Sequence, residues 1–198
     1  MISISLRRIV FTLVPLLLCA SCAQWTYEHT GSGKFEGGVD VRWIKPDRFM
    51  YIPESDPIRF TTSSNRIIAP QRMYTDGGSV PRLFWGVPGY SPWGYAPAYI
   101  VHDWLFAAHH CDLPEYRDIT FEQSATILAE GIKTLMVSKT APMDETTLWS
   151  IYEAVRSPVA KSLWDRKNAC DLPPEVAIKG APPGELLMQI RFDQVPRR

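Results

Sequence analysis

The chain has no surplus of charge: 21 Lys and Arg stand against 21 Asp and Glu in 198 residues. A balanced surface builds no long-range positive field, which argues against nucleic acid as a partner. There is no Gly-x-x-x-x-Gly-Lys-Ser/Thr stretch, so no phosphate loop is expected. Neither a Gly-x-Ser-x-Gly elbow nor a Cys–His nucleophile arrangement appears. Solenoid repeats and low-complexity segments are missing as well. Cysteine is scarce, with four in all. Proline is not: 17 prolines favour a loop-rich organisation over a plain helical bundle. Apolar and charged fractions of 45% and 21% are those of an ordinary globular domain.

The chain opens "MISISLRRIVFTLVPLLLCASCAQW". Arg7 and Arg8 precede an apolar stretch from Ile9 to Leu18, and small residues follow, the layout of a secretory signal over residues 1–21. The stretch is about half of the ~20 residues that a spanning helix needs. Its end, "LCASC", resembles a bacterial lipobox, in which cleavage leaves Cys22 as a lipidated first residue. Cys19 stands where a large aliphatic residue is usual, with Leu18 one position further back. Ala23, not Asp, follows the cysteine, so the resemblance points to an outer membrane, reached through the lipid anchor from the periplasmic side. The alternative is ordinary secretion with Cys22 incidental. Loss of residues 1–21 removes two positive charges and no acid, which leaves the mature chain near −2.

The other two cysteines, Cys111 and Cys170, each begin the tetrapeptide "CDLP". In an oxidising compartment a Cys111–Cys170 disulfide is the expected reading. It would stabilise by about 4 kcal/mol. The alternative is a metal site with His109 and His110, which otherwise read as a polar loop just past a helix.

Residues 22–34 read as a polar tether, 35–172 as a single domain and 173–198 as a Pro-rich C-terminal extension with a late strand in "ELLMQIRF". Between residues 35 and 75, short β-prone runs split by turn residues predict a small antiparallel sheet. Val39, Val41 and Trp43 alternate with Asp40 and Arg42, which predicts one buried face. Glycines and prolines crowd residues 76–96, yet the aromatic content there marks a structured lid or site wall. Trp85, Trp93 and Trp104 read most simply as core. Three helices are predicted. The first covers Ala98 to Ala108 behind Pro97. The second runs from Thr120 to Val137, with Thr120 and Gln123 forming a capping box. The third spans Glu145 to Trp164, kinked or broken at Pro158. Helices beside a small sheet make the fold α+β.

His102 and Asp103 interrupt the apolar run "YAPAYIVHDWLF". Neighbours on a helix project about 100° apart, so the two side chains face different partners. An Asp in such a segment must be satisfied, by a metal ion, by the N–H groups of the Gly77–Gly78 turn or by Arg82. The upstream "TDGGSVPR" supplies Asp76 as an acceptor and two glycines for close backbone approach. The expectation is that the glycine turn folds over both residues to form one shared polar nook.

"RIIAPQRMYTDGGSVPRLFW", "YAPAYIVHDWLF" and "LWSIYEAVRSPVAKSLW" together resemble the bacterial and phage family DUF1353, over roughly Arg66 to Trp164. Asp76, Ser79, Pro81 and Arg82 stand at family-motif positions, with Gly78 where Ala is usual. The acid that the family carries in its next helix has no clean equivalent: Glu122 is nearest, then Glu130. "HDWLF" is also similar to the His-Asp helix of phospholipases A2. That likeness implies His102 as general base, Asp103 with Gly77 and Gly78 as calcium ligands, and Glu122 as the acid that orients the imidazole. The expected function is a calcium-assisted ester or lipid hydrolase of the cell envelope. The alternative is a non-catalytic structural or interaction lipoprotein of the envelope or a prophage.

Overall fold

A computed structural model describes residues 21–46, 48–53, 55–77, 93–173 and 184–192. Residues 1–20, together with Gly78, Ser79, Pro81, Arg82 and Trp85, lie outside the described residues. The fold is α+β, as the order of elements implies. Helix α1 covers residues 21–29. Six strands follow: β1 (Lys34–Glu36), β2 (Gly38–Lys45), β3 (Arg48–Tyr51), β4 (Arg59–Thr61), β5 (Ile67–Ile68) and β6 (Met73–Thr75). Then come α2 (Ala96–His110), a 3-10 turn (Pro114–Tyr116), α3 (Phe121–Val137), α4 (Glu145–Val155), α5 (Pro158–Trp164) and β7 (Glu185–Arg191).

The single expected sheet is two. β1-β4-β5 form one and β6-β3-β2-β7 the other, all pairs antiparallel. Thus the strand of the presumed extension is an edge of the larger sheet, with Arg191 opposite Gly38. The expected one-sided burial of β2 also fails. Val39, Asp40 and Val41 are all buried, whereas Trp43 is largely exposed. Asp40 is covered because Arg191 on β7 reaches it with both Nη atoms, at 2.7 and 2.9 Å, while the far end of β2 runs past the core.

The helices follow local chemistry closely. Thr120 accepts from the Gln123 N–H, and Gln123 accepts from the Thr120 N–H, so the capping box closes both ways. Ser157 caps α5 and Pro158 takes its first turn, which splits the expected third helix into α4 and α5. α2 is apolar around most of its girth and buried accordingly, packed against α3. Gly131 permits that approach: a Cβ there would stand 3.0 Å from the Ala98 Cβ.

Residues 22–34 are not a loose tether. Ala23 and Thr26 are buried, and the Lys133 ammonium donates to the carbonyls of Tyr27 and Thr30, both at 2.6 Å. A cation on the last carbonyls of a helix satisfies orphan acceptors at the negative end of its dipole. No helix among the described residues is long and apolar enough to cross a membrane.

Candidate functional site

Asp103 projects from α2 toward the end of β6. Thr75 ends that strand and donates its hydroxyl to Asp103 Oδ2 at 2.6 Å. The Gly77 N–H in turn donates to Thr75 Oγ1 at 3.0 Å. Gly77 holds φ +93, and a Cβ there would meet the Trp93 indole at 2.8 Å, so only glycine fits. The glycine turn therefore reaches Asp103, but through a threonine that stands one residue before the motif's acid.

The Asp103 carboxyl opens on a polar cleft of about 460 Å³. Lys45, Arg48, Tyr74, Asp76 and Asp171 share its lining. Arg48 lies over the Tyr74 ring at 3.6 Å and pairs with Asp171 at 2.9 Å. Burial, then the nearby Asp76 carboxylate, push the Asp103 carboxyl up to about 8, against the opposing pull of the Thr75 hydrogen bond. Both effects favour the protonated form of Asp103 beside Asp76.

His102 faces elsewhere. It is 2% exposed and lines a second cleft of about 340 Å³, walled by Phe106, Ala154, Val155, Ser157, Val159, Ala160 and Leu163. Phe106 and Leu163 border both clefts and form the partition between them. Within this mostly apolar chamber His102 Nε2 has no hydrogen-bond partner among the described residues. Burial alone drives the imidazole down to about 4, so it is neutral at physiological pH. The Phe106 ring lies 5.0 Å from it, centroid to centroid, and meets Trp164 edge-on.

The expected shared nook is thus two chambers. Residues 102 and 103 do address different partners, as helical geometry requires. The expected acid partner is not at the imidazole. Glu122 is exposed on the first turn of α3 and lines neither cleft. Glu130 is buried but accepts from the Ser63 N–H and hydroxyl at 3.0 and 2.6 Å. His109 and His110 belong to the last turn of α2, not to a loop. His109 stacks on Trp164 at 4.0 Å, and His110 Nε2 reaches the carbonyls of Leu163 and Trp164. They pin α5, and beside them Cys111 and Cys170 are joined as a disulfide. Trp104 is core, as expected, and Trp93 is half-buried against Phe49.

Among the described residues, Asp103 and Gly77 offer fewer than the six to eight oxygens that calcium takes, and Gly78, the other expected ligand, lies outside them. No group of three or more His, Cys, Asp or Glu converges among the described residues. Asp103 has its Oδ2 engaged by Thr75, and the Gly77 N–H points to a hydroxyl. The two titratable groups on adjacent residues have oppositely displaced proton affinities.

These displacements predict a stability profile. The unfolded imidazole protonates near pH 6.5 and the buried one only near 4, so this contribution is intact above pH 6.5 and drains away as pH falls toward 4. The loss should approach about 3 kcal/mol, and His102→Phe should remove it from urea titrations run between pH 7 and 4. Asp103 acts oppositely. Its raised value erodes stability as pH climbs from 3.8 through 8, an effect that Asp103→Asn should abolish.

Thr75 was the residue hardest to foresee. Its only signal is its place just before Asp76 in "TDGG". A family model matches residues 55–151, which takes in Thr75, Asp76, His102, Asp103 and Glu122 and stops within α4. The match begins ahead of the resemblance noted from Arg66 and omits α5, the far wall of the histidine cleft. No curated protein and no solved structure matches the chain. Over residues 55–151 the chain is similar to the family DUF1353, described as a protein of unknown function.

Proposed function

We propose that the protein is an exported envelope lipoprotein that hydrolyses an ester bearing an apolar chain, with His102 as the general base. One observation carries this reading: a neutral imidazole that borders an apolar cleft and whose buried Nε2 has no hydrogen-bond partner among the described residues. With its proton on Nδ1, the ring offers Nε2 to a water. That water gives up a proton and adds to the ester carbonyl, and the proton returns to the departing alkoxide. Phe106, Val159 and Leu163 suit a hydrocarbon chain. The protonated Asp103 beside Asp76 is a second proton source across the partition.

A non-catalytic reading is favoured by a different observation: no carboxylate among the described residues orients the imidazole, and Asp103 is tied to the β6 end through Thr75. One assay separates the two. The detergent-purified full chain is tested on p-nitrophenyl esters of increasing acyl length and on phospholipid vesicles. General-base catalysis predicts a loss of about 10²-fold or more in kcat/KM for His102→Gln, with Glu122→Gln unaffected. Absence of hydrolysis by the wild type, or activity that survives His102→Gln, leaves the structural reading in its place.

A further inference from the structure

We propose that the outer face of α1, with Val137 and Met143 beside it, lies in the headgroup layer of the bilayer that holds the lipid anchor. The inference rests on the reading of Cys22 as acylated. On a helix, residues 22, 25 and 29 share one side, and all three are exposed here, whereas Ala23 and Thr26 turn into the protein. Trp25 is 61% exposed and stacks on His29 at 4.3 Å. Its ring is thereby held out from the body by a neighbour that is itself exposed. A tryptophan presented this way has the amphipathic character that concentrates at membrane–water boundaries.

Two further apolar side chains stand close by. Val137, 55% exposed, lies one turn beyond Lys133, the residue that clamps the end of α1. Met143, 57% exposed, precedes by two residues Glu145, whose charge acts on Tyr27 of α1. Exposed Lys139 lies between them in sequence and suits anionic headgroups.

Acyl chains leaving residue 22 would carry Trp25 to within about one helical turn, ~5 Å, of their entry point. Because α1 is docked through Ala23, Thr26 and Lys133, that anchoring point fixes how the whole domain faces the bilayer.

The test uses full-length protein extracted from host membranes and reconstituted in phosphatidylethanolamine–phosphatidylglycerol vesicles with brominated acyl chains. Intact mass reports acylation, and tryptophan quenching reports insertion. The expected result is an acylated chain whose bromolipid quenching is larger in the wild type than in Trp25→Phe. Acylation with equal quenching in both proteins overturns the contact face and leaves the anchor standing. A chain without acyl groups overturns both.

Discussion

Breaking the Cys111–Cys170 disulfide should cost about 4 kcal/mol, the loop-closure value for a separation of 59 residues. For a chain of this size that corresponds to a fall of roughly 8–16 °C in Tm. The measurement is a pair of urea melts, native against the Cys111→Ser/Cys170→Ser double variant. The bond joins the end of α2 to the segment after α5, and α5 is the outer wall of the histidine cleft. Its noncovalent partners include His109 stacked on Trp164, Phe106 edge-on to the same ring, and His110 bonded to the last carbonyls of α5. A loss below about 1 kcal/mol would mean that these contacts already hold α5 without the crosslink, contrary to the entropic account. If the crosslink matters as expected, reductant should also open the cleft to solvent and raise the imidazole from about 4 toward its ordinary value.

Arg191→Leu should destabilise by about 3–5 kcal/mol, because it strips a buried carboxylate of its guanidinium. The Asp40 side chain is 4% exposed and receives both Arg191 Nη atoms. The pair itself carries little net stability, since the cost of desolvating two charges offsets their attraction. Asp40→Leu/Arg191→Leu should therefore lie within about 1–2 kcal/mol of the wild type, and well above the single variant. Equal losses in the single and double variants would show that packing of β7, rather than loss of the guanidinium beside Asp40, sets the penalty.

Local features were legible and distant ones were not. The capping box at Thr120 and the proline at 158 act within a turn, so the start of α3 and the break between α4 and α5 followed from short stretches. The α+β class and the disulfide were also accessible, the latter from its twin "CDLP" contexts and the inferred compartment. What escaped depends on pairing across long separations. Nothing near Asp40 announces Arg191, 151 residues on, so β2 read as half-buried and β7 as an appendage. Lys133 lies more than a hundred residues from the carbonyls it caps, so α1 passed for a tether. At the site, the helix angle between residues 102 and 103 was predictable. That Phe106 and Leu163 would wall them into separate chambers was not, because Leu163 arrives from another helix.

The pairing of β2 with the last strand also constrains how the chain comes into being. Synthesis at about 5–20 residues per second leaves residue 40 waiting roughly 8–30 s for residue 191. Through that interval the aspartate has no guanidinium, and one flank of β2 lacks its ladder. A nascent polypeptide of this kind cannot complete its larger sheet until residue 191 has emerged, so an interaction with holding factors during biogenesis would guard a bare strand edge.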